Sequence, residues 1–127
     1  MKTLTKALLA VLVAGASLGA HAQPAGFPNK TVRVMVTFTT GGAADITARI
    51  IGDQLAKMWN QQVVVENRIG AGGNIGVEAV YRSTSDGYNL LLASNTHAIN
   101  QALYTKLPFD LVKDFAGLGL TTSTPIV

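Results

Sequence analysis

Residues 31–45 read TVRVMVTFTTGGAAD, a strand pattern that passes through a glycine turn into the start of a helix. Apolar side chains alternate at period two in residues 31–38 and most of them are β-branched, which predicts a buried β-strand. Residues 39–42 interrupt this pattern. From Asp45 the apolar residues recur at helical spacing, which predicts an amphipathic helix ending near Asn60. The apolar positions of this helix are Ile46, Ile50, Leu55 and Met58 or Trp59, with Ala48 and Ile51 widening the stripe.

The same order of strand, turn and helix occurs again along the rest of the chain. The continuous apolar run at residues 63–65 is typical of a strand covered on both faces, and the glycines in residues 70–73 predict a turn. We further predict a helix capped by Asn74 and ending near Ser83, a strand over 88–93, a polar loop over 94–96, a short helix over 98–104 and a fourth strand over 115–120. Strands that alternate with helices indicate the α/β class, with a mostly parallel sheet flanked by helices.

Three polar loops follow the first three predicted strands, and they span residues 39–44, 67–74 and 94–97. Ligands of open α/β sheets bind at the carboxyl ends of the strands, so these loops form the candidate binding site. If the third strand neighbours the first strand in the sheet, the third loop lies beside the first loop.

The first loop has the composition of an anion site. Backbone N–H groups at a helix start, together with the helix dipole, attract an anion without a cationic side chain, and two threonines add hydroxyl donors. The candidate ligand-binding residues here are Thr39, Thr40, Gly41 and Gly42. Two other interpretations stay open: the glycines serve only as a tight turn, and Asp45 either contacts the ligand or compensates the dipole and pairs with Arg49.

The glycine-rich loop, residues 70–76, departs from the dinucleotide-binding fingerprint. A strict fingerprint starting at Gly70 needs a glycine where Ile75 stands, and no acidic residue ends the next strand to hold a ribose. Close packing of helix against strand and backbone contact with a ligand are the remaining interpretations. Asn74 is a weaker candidate for a ligand-binding residue.

The third loop offers hydroxyl and amide donors to a carboxylate through Ser94, Asn95 and Thr96. His97 follows them, and no nucleophile elbow surrounds any serine of the chain. A lone histidine without carboxylate partners does not make a metal site, so we predict a structural or capping role for His97. The sequence therefore predicts no catalytic residue, no cofactor and no metal.

The N-terminus has the pattern of a secretory signal peptide. Lys2 and Lys6 precede the apolar run of residues 7–14, and Ala20-His21-Ala22 provides a small-residue exit, so we predict a signal peptide over 1–22. A membrane anchor is the alternative, but the apolar run is shorter than the roughly 20 residues that cross a bilayer. The chain has no Cys, which excludes disulfides and lipidation after cleavage.

Composition and charge limit the remaining classes of protein. The chain has 127 residues, 48% of them hydrophobic, which is too apolar for an intrinsically disordered protein. Outside the predicted signal peptide there are eight basic and seven acidic side chains, with no basic cluster, so we predict no nucleic-acid partner.

Several motifs in sequence order together resemble the extracytoplasmic substrate-binding proteins of tripartite tricarboxylate transporters, the Bug family. The resemblance covers residues 27–127. Its motifs are residues 36–45, 63–76, 86–88, 97–100, 103–104, 107–110 and 114–115. The family usually has prolines where Thr37, Thr40 and Ile69 stand. Prolines stiffen a loop, so the rigidity that the resemblance implies for the first loop does not carry over to this chain as an expectation.

The resemblance implies a two-lobed, Venus-flytrap fold of the type II periplasmic binding proteins, with residues 23–127 as part of the N-terminal lobe. It implies a periplasmic protein that delivers a small organic acid to a membrane permease. It also implies that backbone amides, hydroxyls and waters hold the ligand carboxylate, which points again to residues 39–42 and 94–96. Two other functions stay open: a secreted hydrolase or transferase using Asp45 or His97, and a sensor or interaction module without a small ligand.

Overall fold

The computed structural model describes residues 26–123. The predicted signal peptide over residues 1–22 lies outside the described residues. In chain order the elements are β1 (Val32–Val36), α1 (Ala43–Trp59), β2 (Val63–Asn67), a 3-10 turn (Ala71–Gly73), α2 (Asn74–Tyr81), β3 (Asn89–Leu92) and α3 (Asn95–Leu103). The predicted alternation of strands and helices is confirmed for these elements.

The three strands form one parallel sheet in the order β2-β1-β3. Val32 stands opposite Val63 in β2, and Arg33 stands opposite Asn89 in β3. The central position of β1 explains its apolar, β-branched sequence, because both of its edges are paired and Val32 and Val36 have no exposed surface. The α/β class with a parallel sheet flanked by helices is therefore confirmed.

Helices cover the two faces of β1. On one face, Val34 and Val36 form a core cluster with Ala48 of α1. On the other face, the buried Thr37 lies directly after β1 and faces the turn and the start of α2, where Gly76 and Val77 are buried. Successive residues of a strand point to opposite faces, so β1 supplies both layers.

The orientation predicted for α1 is wrong in part. Ile46 and Ile50 of the predicted apolar stripe are 52% and 60% exposed, and Met58 is also exposed. The buried positions of the helix are Asp45, Ala48 and Gly52. Small side chains let the helix axis approach the sheet closely, and the buried Asp45, paired with the partly exposed Arg49, fixes the N-terminal end of the helix. The most hydrophobic side chains therefore do not define the face that packs on the sheet.

The predicted fourth strand over residues 115–120 is absent, since this segment has no regular secondary structure. A strand needs a partner for its backbone groups, and no described strand pairs with the segment. Gly117 and Gly119 further weaken its strand propensity, and Leu120 is 85% exposed.

Several predicted helix boundaries also change. Helix α1 begins at Ala43 rather than Asp45, and α3 begins at Asn95 rather than Ala98, so Asn95 and Thr96 lie in the first turn of α3 instead of in a loop. Gly73, not Asn74, is the N-cap of α2. Among residues 26–123 no helix is both long enough and apolar enough to cross a membrane.

Candidate functional site

Helices α1 and α3 start after neighbouring strands, β1 and β3, at the carboxyl edge of the sheet. Because β1 pairs with β3, the loops that follow these two strands are neighbours, as we predicted. The side chain of Thr37, after β1, lies 2.8 Å from Nε2 of His97 in α3. The rings of Phe38 and His97 are 5.7 Å apart between centroids. We call residues 39–42 the first corner and residues 94–96 the second corner.

The first corner presents two threonine hydroxyls to solvent at the start of α1. Thr39, Thr40 and Gly41 are exposed, and Gly42 is the N-cap of α1. The Gly42 N–H donates to the Thr39 carbonyl over 3.2 Å, and a Cβ at Gly42 would lie 3.2 Å from the same oxygen. Gly42 has no side chain to cap this helix, so the N-cap residue leaves the N–H groups of the first turn without a side-chain acceptor.

Asp45 holds the first corner from inside the protein. Its side chain is 2% exposed and accepts hydrogen bonds from the Gly41 N–H at 2.9 Å and from Arg49 at 2.9 and 3.0 Å. These donors, Arg49 first, lower the pKa of the Asp45 carboxyl far below its ordinary value. The predicted pairing of Asp45 with Arg49 is confirmed.

Asn67, at the end of β2, joins the same hydrogen-bond network. Its Nδ2 donates to the Phe38 carbonyl at 3.1 Å and to Asp45 at 2.9 Å, while its Oδ1 accepts from Arg49 at 3.2 Å. Sequence analysis named Asn67 only as the start of a loop. The one sequence feature that pointed to it is an amide close behind the apolar run of residues 63–65, a feature that many strand ends share.

The second corner is organised by His97. Ser94 is the N-cap of α3, Asn95 is exposed and Thr96 is half-buried. His97 is 1% exposed, and its Nδ1 accepts a hydrogen bond from the Ser94 N–H at 2.9 Å. Burial lowers the pKa of the imidazole. The predicted capping role of His97 is therefore confirmed.

The side chain of Asn74 points into the protein rather than to solvent. It is buried, and its Oδ1 accepts a hydrogen bond from Asn100 of α3 at 3.1 Å. The same Asn100 amide donates to the Gly72 carbonyl at 2.8 Å, so the glycine-rich loop is fastened to α3. Sequence analysis missed Asn100, because only the fold brings it next to a loop 26 residues away in sequence.

The chemistry available at the two corners is hydrogen-bond donation. The cationic side chain beside the first corner, Arg49, is engaged with Asp45 and Asn67. In residues 26–123 no group of three or more His, Asp or Glu side chains is placed to hold a metal ion. Two clefts of about 350 and 140 Å³ lie elsewhere, one beside residues 104–110 and one on the sheet beside Arg33 and Arg68. The corners themselves form an open surface suited to an anion.

This chain matches one family model and several curated proteins. The family model described as tripartite tricarboxylate transporter family receptor matches residues 47–127. Protein BugT of Bordetella pertussis is 32% identical over 123 residues, which cover 95% of this chain and 38% of BugT. An Agrobacterium vitis protein from an intergenic region is 39% identical over 100 residues, 79% of this chain and 29% of that protein. The chain thus spans well under half the length of these relatives.

Solved structures show the same similarity. MatC from Rhodopseudomonas palustris with bound malate is 39% identical and has a TM-score of 0.65, over 70% of this chain and 31% of MatC. A second R. palustris protein, solved with adipate, is 33% identical with a TM-score of 0.64, over 68% of this chain and 29% of that protein. The chain therefore belongs to the family of tripartite tricarboxylate transporter receptors, as its resemblance to the Bug proteins predicts.

Proposed function

We propose that this chain is the N-terminal lobe region of a periplasmic solute-binding protein that captures a small carboxylate for a tripartite transporter. The observation that carries the proposal is that two helices, α1 and α3, start after the paired strands β1 and β3 at the carboxyl edge of the sheet. Two such termini attract a carboxylate through their dipoles and free N–H groups. Family neighbours solved with malate and adipate support the choice of ligand class.

In this proposal the two corners bind the carboxylate directly. The contacting groups are the hydroxyls of Thr39, Thr40, Ser94 and Thr96, the Asn95 amide, and the backbone N–H group of Ala43, which follows Gly41 and Gly42. Asp45 and Asn74 act from inside the protein, because Asp45 accepts four hydrogen bonds and the Asn74 oxygen accepts one from Asn100. They hold the loops in shape instead of touching the ligand.

The proposal assigns binding and release, not catalysis, to this protein. The two groups that an enzyme would use, Asp45 and His97, are buried and engaged in hydrogen bonds that brace the corners. A signal peptide over residues 1–22 would direct the protein to the periplasm. A further lobe would close over the ligand from the other side, and a membrane permease would accept the ligand from the open form.

Isothermal titration calorimetry on the full-length protein without its signal peptide tests this function. The panel contains malate, succinate, adipate and citrate, together with malamide as an uncharged analogue. We expect saturable binding of at least one acid and none of malamide, because the corners recognise charge. No saturable heat with any of the acids would refute the proposed function.

A charge variant shows where the acid binds. Thr40→Asp places a carboxylate beside the first corner, and repulsion of like charges should weaken binding by at least about tenfold. Thr31→Asp is the matched control, since Thr31 is exposed at the opposite end of β1. Equal affinities of the two variants would place the ligand elsewhere.

A further inference from the structure

His97 uses both of its ring nitrogens on different parts of the fold. Nδ1 accepts a hydrogen bond from the Ser94 N–H at 2.9 Å, and Nε2 lies 2.8 Å from Oγ1 of Thr37. Ser94 belongs to the second corner, and Thr37 is two residues before the first corner. One imidazole therefore spans the gap between the segments that carry the two corners.

The bond to Ser94 determines which nitrogen carries the proton. A backbone N–H is always a donor, so Nδ1 must be the unprotonated acceptor. The neutral ring then has its proton on Nε2, and this N–H donates to the Thr37 hydroxyl oxygen. Protonation of Nδ1 would place two donors against each other at Ser94, so only the neutral Nε2–H form makes both contacts.

Two glycines leave the space that this contact needs. A Cβ at Gly73 would lie 2.8 Å from Nε2 of His97 and 3.0 Å from Oγ1 of Thr37. A Cβ at Gly76 would lie 2.7 Å from the Thr37 methyl carbon. The glycine-rich loop thus closes over the histidine and threonine side chains, and both are at least 98% buried. Because the contact is buried from water, a lost hydrogen bond between His97 and Thr37 would not be replaced by one to solvent.

We propose that His97 is a positioning residue, which holds the two anion-binding corners at a fixed separation through the Ser94–His97–Thr37 chain of hydrogen bonds. This inference rests on the proposed function and adds to it a device that orders the site before the ligand arrives. A carboxylate that bridges two corners binds more tightly when their separation is already set, because less ordering remains to be done on binding.

Two substitutions of Thr37 separate the hydrogen bond from the packing. Thr37→Val keeps the shape of the side chain and removes the acceptor for the His97 Nε2–H. Thr37→Ser keeps the hydroxyl and removes the methyl group that contacts Gly76. Loss of one neutral hydrogen bond is worth a factor of about five in an equilibrium constant. We therefore expect Thr37→Val to weaken malate binding about fivefold or more, and Thr37→Ser to bind malate like the natural protein.

Two measurements on the full-length protein report on the Ser94–His97–Thr37 chain of hydrogen bonds without any ligand. Nitrogen-15 NMR of the imidazole, assigned by its loss in His97→Gln, gives the tautomer directly, and we expect protonation at Nε2. Hydrogen exchange of the Ser94 amide reports on the other end of the ring, and we expect it to be faster in Thr37→Val than in Thr37→Ser.

The outcomes distinguish this inference from the proposed function. A ring protonated at Nδ1 would show that the Ser94–His97–Thr37 chain of hydrogen bonds does not form. Equal hydrogen exchange of the Ser94 amide in both Thr37 variants would show the same. Equal malate affinity of Thr37→Val and the natural protein would overturn its role in binding. If affinity instead follows melting temperature in both variants, His97 is structural only. If no acid binds but hydrogen exchange of the Ser94 amide responds as expected, the chain of hydrogen bonds is supported and the proposed function is refuted.

Discussion

Asp45 is a carboxylate that serves the candidate site without facing it. It lies in the first turn of α1, where the helix dipole favours a negative charge. Its side chain nevertheless points inward, and its two oxygens accept hydrogen bonds from the Gly41 N–H, Arg49 and Asn67. Three segments of chain meet at this one side chain: the first corner, α1 and the end of β2. The shape of the first corner therefore depends on the ionised form of Asp45.

The substitution Asp45→Asn tests this dependence. The amide keeps the size of the side chain but replaces an acceptor oxygen by a donor that faces Arg49, Asn67 or Gly41. We expect the melting temperature to fall by more than about 5 °C, because charge-assisted hydrogen bonds are lost and the domain is small. Differential scanning fluorimetry measures the change.

Asp53→Asn is the matched control for that variant, because Asp53 is an exposed carboxylate on the same helix. It should leave both the melting temperature and carboxylate binding nearly unchanged. If Asp45→Asn and Asp53→Asn behave alike, the buried network does not shape the corner.

At the scale of elements, helices α1 and α2 each make a close contact at a glycine, but the two contacts differ in tightness. A Cβ at Gly52 of α1 would lie 3.4 Å from Val63 and 3.6 Å from Val65, which is ordinary contact with side chains. A Cβ at Gly76 of α2 would lie 2.9 Å from the carbonyl oxygen of Arg68, which cannot rotate away. Helix α2 is therefore seated more closely than α1.

This difference predicts opposite effects of the same substitution. Gly76→Ala should destabilise the protein by about 1–3 kcal/mol, since overpacking forces the backbone to shift. Gly52→Ala should be neutral or stabilise it by up to about 1 kcal/mol, because alanine is the better helix former and its methyl group has room. Urea unfolding of both variants measures the two free energies. A Gly76→Ala variant as stable as Gly52→Ala would show that α2 does not pack as described.

At the scale of the whole molecule, the buried histidine and the paired carboxylates make stability depend on pH. Burial lowers the pKa of His97, so the folded state favours the neutral ring. The pKa of Asp110 is lowered to about 2, first by Lys113 and then by two backbone N–H groups, and that of Asp45 is lowered by Arg49. Each of these groups contributes its full stability above its ordinary pKa and loses that contribution as the pH falls towards its pKa in the folded state.

We therefore expect the free energy of unfolding to fall in two ranges as the pH decreases. The first loss begins near the ordinary histidine pKa of about 6.5, because there His97 binds a proton in the unfolded chain but stays neutral in the folded protein. The second begins below about 4, when the unfolded carboxyl groups become protonated while the paired ones resist. Urea unfolding between pH 3 and pH 8 follows both losses.

His97→Gln provides the control for the first range. Glutamine at this position still offers an oxygen to the N-cap amide, as in a capping box, but it does not titrate. The first loss should be absent in this variant and the second retained. An unchanged loss near pH 6.5 would assign it to another group.

Local patterns in the sequence determined the order of strands and helices, the glycine turns and the pairing of Asp45 with Arg49. These features depend on residues a few positions apart, so period, propensity and helix geometry are sufficient to predict them. Only the tertiary structure decided which face of α1 packs on the sheet, that residues 115–120 form no strand, and that Asn67, Asn100 and Thr37 brace the corners. Those outcomes depend on partners far apart in sequence, because burial and hydrogen bonding are settled by which surfaces meet in space.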